Sequence, residues 1–413
     1  MTTVSPELSI KTGRVLLSHP HALGLGDGSV ANGTTVAALA TLAMAANLQV
    51  GNEQLSLIVG AGQNGNGQVS FTGTTSWGGA MQLLGMGGAR IIAVSNNAVL
   101  TFNGQITGTG GMEIGVTPSA AVKLSNSSNN FTGNVNTVAN SPIQGGTILI
   151  GGDNAIPSVA AVQLNFSSTF NLNNFDDEIA GLSCSPGSQV IFGFGSTLKT
   201  GGNNASTICA GVLSASGSGG VLKKVGSGVL TLRGASTFDG EIDVMGGGLE
   251  VSGSLPTSGP NPIFVSGGDQ NATLFGTGVV GAVVSAGNIH GGSLTTPGTL
   301  TTGFLSFNGK GTLSAILASA TSFDQLDASN VNMASNPQLN LAVVQGFAPL
   351  PGSVFRLINN RGGAGVGGTF KNLAEGATLS ASSALFAVSY VGGTGNDVTL
   401  TTLNDALLAN GFE

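Results

Sequence analysis

The stretch from Gly226 to Leu255, GSGVLTLRGASTFDGEIDVMGGGLEVSGSL, decides the fold. Apolar and polar residues alternate over short runs (Val229-Leu230-Thr231-Leu232, Ile242-Asp243-Val244, Leu249-Glu250-Val251), and glycines separate the runs. Alternation with period two marks strands that bury one face, and glycine supplies the positive φ of a sharp corner. No run holds a 3.6-residue period long enough for a helix.

The composition of the whole chain agrees with this stretch. Glycine makes up 69 of 413 residues, against a usual ~7%. Charged residues are 8% of the chain, against a usual ~25%. An apolar fraction of 41% is too high for a solvated disordered tail, and 13 prolines without glycine at every third place exclude collagen. The net charge is −7 with only 12 Lys and Arg, and Lys223-Lys224 is the one adjacent basic pair. Nucleic acid is therefore not an expected partner, because phosphates need clustered cations. No run approaches the ~20 apolar residues of a membrane helix. The most apolar stretch, Val36 to Leu48, is not read as a signal-peptide core. Asp27, His19, His21 and several glycines precede it where a short basic segment belongs.

Internal repeats come next, because short strands of this kind bury their apolar faces only by stacking. QVSFTGTTSWGGAMQL (Gln68 to Leu83), VKLSNSSNNFTGNVNTV (Val122 to Val138) and VLTLRGASTFDGEIDV (Val229 to Val244) share one layout. Each has an alternating strand, a small polar turn, an aromatic (Trp77, Phe131, Phe238), a glycine two residues later (Gly79, Gly133, Gly240) and a second strand. A second unit pairs Gly13 to Gly24 with Gly146 to Pro157, and a third pairs Phe102 to Ile114 with Cys209 to Gly228. Helical and leucine-rich repeats lack their required periods here. The expected fold is all-β: a right-handed, single-stranded parallel β-helix, a solenoid of coils about twenty to twenty-five residues long. Strands would pair one coil above another at ~4.8 Å, with Val, Ile, Leu and Phe inward and Thr, Ser and Asn outward. Asn129-Asn130 and Asn203-Asn204 suit left-handed corners or ladders. Residues 1–256 are expected to form coils carrying the repeats, 257–403 their continuation and cap, and 404–413 a short tail.

On these residues the chain resembles the passenger domains of bacterial autotransporters. Val225 to Leu255 is similar to their passenger-associated repeat, a GSGxLxLxGxxxFxG strand pair followed by GxLxVxG. PGSVFRLINN, GTFKNLAEGATL and FAVSYVGGTGNDVTLT resemble the end of such a passenger, and LDASNVNMASNPQLNL (Leu326 to Leu341) fits between. The resemblance implies an exported β-helix, secreted or at the bacterial surface, commonly an adhesin or structural stalk. Neither a signal peptide nor the family's translocator barrel is seen, so the chain is expected to be a passenger fragment or a β-helix exported by another route. Gly411-Phe412-Glu413 is a further candidate, as a sorting tag.

Candidate chemistry is sparse. Cys184 and Cys209 lie one coil apart, where a bridge between neighbouring turns is sterically reasonable. An inter-coil disulfide and two small unpaired buried thiols are the alternatives. Asp176-Asp177-Glu178 and Asp324/Asp327 are the acidic groups nearest to a glycosidase pair, and a solvated turn is the expected reading of the first. GGTGNDVTL (Gly392 to Leu400) nearly matches a calcium-binding nonapeptide, but as one copy with Thr399 in the large apolar position. His19, His21 and His290 are too scattered for a metal centre or a catalytic triad. No cofactor, metal or catalytic residue is expected. The expected function is non-enzymatic adhesion or surface structure. Its partners would be a host or neighbouring-cell surface, glycan or protein, or copies of the chain stacked into a filament. A polysaccharide-active enzyme is the remaining alternative.

Overall fold

The computed structural model describes residues 7–23, 26–115, 117, 119–138, 145–217, 219–267 and 271–403. The expected tail 404–413, with its Gly-Phe-Glu end, lies outside them. The chain divides into two compact units, Met1–Leu222 and Lys223–Glu413.

The first unit is a parallel β-solenoid with three faces. One face stacks Leu8–Ile10, Thr34–Val36, Leu55–Ile58, Met81–Leu84 and Ile106–Gly108, each hydrogen-bonded to the next in parallel. A second runs from Gly13–Leu17 through Ala40–Met44, Val69–Phe71, Gly88–Ala93 and Gly111–Gly115 to Leu182–Cys184 and Thr207–Cys209. The third runs from Gln49–Val50 through Thr74–Trp77, Val99–Phe102, Ala121–Leu124 and Gly146–Ile150 to Val212–Ala215. Val36 to Leu48, the stretch weighed as a signal core, lies on two of these faces, and Ala40–Met44 is buried along its whole length.

The second unit continues the same logic with two long faces. One stacks Val229–Leu232, Gly248–Val251, Thr273–Gly276, Asn288–Ile289, Thr312–Leu317 and Gln338–Val343. The other stacks Glu241–Val244, Ile263–Val265, Val283–Ser285, Thr299–Phe307, Gln325–Met333 and Val354–Asn360. Beyond Val354–Asn360 the pairing turns antiparallel, through Asp397–Thr402 and Ala384–Gly392 to Thr378–Ala381.

Inward rows make the core. Leu249 lies on Leu230 and under Leu274, which lies under Ile289 and then Leu313, all fully buried. In the first unit Trp77 pairs with Phe102, Phe102 with Leu124, and Leu124 with Ile150. The Trp77 indole N–H donates to the Glu53 carbonyl at 2.8 Å. Each such side chain contributes about 1.5–3 kcal/mol by burial, before conformational entropy is subtracted. At the corners, ten of the twelve described non-glycine residues with positive φ are asparagines, Asn204 among them. Asn129 acts differently: its carboxamide accepts from Ile106 N–H and donates to the Ala155 carbonyl, both at 2.7 Å, tying three coils together.

The three look-alike repeats do not occupy one phase of the coil. Gln68 to Leu83 spans three strands on three faces, Val122 to Val138 spans two, and Val229 to Val244 a different two. Every corner joins two alternating strands through small residues, so one motif fits several corners. What the copies share is packing. Trp77, Phe131 and Phe238 are all buried. The glycines after the first two sit where a side chain would overlap backbone of the coil below, the Glu53 carbonyl at Gly79 and the Gly110–Gly111 peptide at Gly133.

Candidate functional site

Along the two-faced unit, alternation sends every second side chain outward. Gly248, Thr273, Asn288, Thr312 and Gln338 follow one another in register, and the neighbouring outward positions pair Glu250 with Phe275 and Ser314 with Asn340. All of these except Glu250 and Gln338 line a groove made of two adjoining cavities of about 360 and 260 Å³, which share Asn271 and Thr273. The larger is polar, lined by Asn288, Thr312, Ser314 and Asn340 with Lys310 at its side. The smaller is apolar, lined by Val229, Phe275 and Leu294. Ser314 donates to the Asn288 carboxamide oxygen at 2.8 Å. The Thr312 hydroxyl and the Asn340 carboxamide have no hydrogen-bond partner among the described residues.

Phe275 is set by its neighbours. Its ring stacks on the His290 imidazole, with centroids 5.1 Å apart and planes 4° from parallel. Gly248 lies against it so closely that a Cβ there would come within 2.8 Å of the ring. His290 is buried, with Nδ1 2.6 Å from the Gly291 carbonyl and 3.9 Å from an Asp324 oxygen. Burial pushes the imidazole below its usual range and the Asp324 carboxyl up to about 7. Burial thus favours the neutral form of both groups. Asp324 accepts from Gly298 N–H at 3.1 Å and Ile316 N–H at 2.9 Å, which pins the 291–298 corner to the next strand.

The other sequence candidates fall elsewhere. Cys184 and Cys209 are register partners on adjacent strands, with Cα atoms 4.1 Å apart and sulfurs in bonding contact. The expected solvated turn at Asp176-Asp177-Glu178 is corrected at its centre. Asp177 is buried, accepts from Ile156 N–H at 3.2 Å, and burial pushes its carboxyl up to about 8. The reason is the alternation itself, which turns Asp177 inward and its neighbours outward. Asp176 accepts from Thr197 N–H at 2.7 Å, and Glu178 pairs with Lys199 of the adjacent strand at 3.0 Å. Asp327 pairs with Arg361 at 3.0 Å. Asp397 of the nonapeptide-like stretch is buried, and its carboxylate accepts from Asn360 N–H, Thr394 N–H and Arg356, a turn-fixing role. His19 and His21 lie in an exposed turn with ring centroids 5.7 Å apart. Among the described residues no three His, Cys, Asp or Glu side chains gather as metal ligands. No described helix is long and apolar enough to cross a membrane, which leaves strand-built barrels untouched.

Sequence reasoning missed the groove and Lys224. The Lys224 side chain is buried, and its ammonium donates to the carbonyls of Val225, Gly226 and Gly246 at 2.7–3.1 Å. Only its place on an inward row, beside the outward Lys223, signals this in the sequence.

No family model matches the chain. It is 29% identical over 261 residues to the adhesin BmaC autotransporter of Brucella suis biovar 1 (strain 1330). That match covers 60% of this chain and 7% of the relative's length. The chain is therefore similar to an autotransporter adhesin in sequence, and its fold is a β-solenoid, as the resemblance to autotransporter passengers implies.

Proposed function

We propose that this chain is part of a bacterial surface-displayed or secreted passenger that acts in adhesion without catalysing a reaction. The observation that carries this is the match to an autotransporter adhesin over 60% of a chain that folds as stacked parallel coils. Within this reading, residues 1–256 are repeat-bearing coils and 257–403 their continuation and cap. Cys184 and Cys209 are an inter-coil disulfide, suited to an oxidising exterior. The partner is a cell surface, through glycan or protein. Two observations favour a non-catalytic role. The carboxyls of Asp177 and Asp324 are buried and bound to backbone N–H groups, and Glu178 and Asp327 are paired with cations.

Beads coated with the purified chain test the reading. They are expected to adhere to epithelial or bacterial cells above beads coated with an unrelated protein of similar charge. Adherence no greater than that control overturns the proposal. Incubation with acidic and neutral polysaccharides is expected to release no new reducing ends, and release would favour the enzymatic alternative.

A further inference from the structure

The groove on the second unit has two ends of different chemistry over one regular floor. Its outward row offers hydroxyl, carboxamide and hydroxyl from Thr273, Asn288 and Thr312, with the Asn340 carboxamide beside them. Parallel pairing sets these groups ~4.8 Å apart along the stack. Ligand sites combine apolar walls with a few convergent polar groups in about 300–1,000 Å³, and the polar cavity of about 360 Å³ with its apolar neighbour fits that pattern. Thr312 and Asn340 bring hydrogen-bonding capacity that the described protein leaves unused.

The occupant can be narrowed by chemistry. An added peptide strand needs an open sheet edge, but the floor strands Thr273–Gly276, Asn288–Ile289 and Thr312–Leu317 are each paired on both sides. A polyphosphate needs several cations, and Lys310 is the one charged residue lining the two cavities. A chain of linked sugar rings meets the remaining requirements. It repeats its hydroxyls along one direction, as the floor repeats its partners, and each ring has an apolar C–H face for Val229 and Leu294, behind which Phe275 lies buried. We propose that this groove binds an extended oligosaccharide, with its sugar hydroxyls on the Thr–Asn row and one ring against the apolar end. The inference rests on the adhesive reading for its biological use.

Titration calorimetry with the full chain tests it, using cello-oligosaccharides, chito-oligosaccharides and oligogalacturonates as probes. At least one series is expected to bind, with affinity rising with chain length. Thr312→Ala combined with Asn340→Ala is expected to weaken it about tenfold or more, and Leu294→Asp to weaken it similarly. These positions face solvent or lie half-buried, so the melting temperature should stay near wild type, which separates lost binding from lost fold. Oligogalacturonate binding that weakens with salt and with Lys310→Ala identifies a carboxylated sugar. Salt-insensitive binding of either neutral series identifies an uncharged one. No binding by any series at millimolar concentration, or binding that the groove variants leave unchanged, overturns the inference. Failed bead adherence by the wild-type chain overturns the adhesive reading instead, so the two failures are distinguishable.

Discussion

Asp177 and Asp324 hold carboxyls where little water reaches, and neither has a cation bonded to it. Burial raises them to about 8 and about 7. In the unfolded chain both titrate near 4, so between pH 4 and 8 the folded state holds protons that the unfolded state has lost. Stability from these groups is therefore full near pH 4 and declines as pH rises through 7 to 8, by at most about 1.4 kcal/mol per group per pH unit. Urea melts from pH 5 to 8 should show the decline, and Asp177→Asn should flatten part of it; a flat wild-type profile would contradict the assignment. At Gly79, substitution by Ala drives a methyl into the Glu53 carbonyl. The expected cost is about 1–3 kcal/mol, read as a lower urea midpoint. Sequence alone did not disclose either residue's burden. The atoms that cover Asp177 or crowd Gly79 belong to coils some twenty residues away in the chain, and no local pattern encodes that distance.

Strands and corners were legible as elements, because period-two alternation and glycine or asparagine corners are local chemistry. Leu249 was readable as an inward residue from its own run, whereas Ile289, on a strand of two residues, was not. Which strand lies on which face was not. The corner motif recurs at different phases, and coil length varies, from the 15 residues that separate Leu274 and Ile289 to the 32 that separate Leu326 and Ile358. The groove escaped for the same reason, since its row exists only after five strands are placed in register. Two expectations belong here. Leu249→Asp puts a charge into an inward row and should cost more than about 3 kcal/mol. If Cys184 and Cys209 are bridged, alkylation without reductant leaves the mass unchanged, and Cys184→Ser with Cys209→Ser costs roughly 3 kcal/mol. Two alkylated thiols would show the bridge absent.

For the molecule as a whole, contacts between neighbouring coils imply that stability is a sum of nearest-neighbour terms. The single Trp, Trp77, lies in the first unit and the single Tyr, Tyr390, in the second, so each reports on one of them. Leu249→Asp is expected to lower the urea midpoint followed by circular dichroism while leaving most of the Trp77 fluorescence transition in place. A Trp77 transition that shifts by the same amount would show one cooperative block instead.

The unequal coil lengths have a further consequence. Register is held by the strands, so a residue added at a corner without inter-coil contacts, unlike those at Gly79 and Asn129, can be extruded while its neighbours stay in place. Such open corners are thus the places where new segments can be grafted at little thermodynamic penalty, while the strands between them keep their spelling. Such a scaffold can acquire a new loop on one turn without renegotiating the rest, which suits a surface that must change what it touches while staying folded.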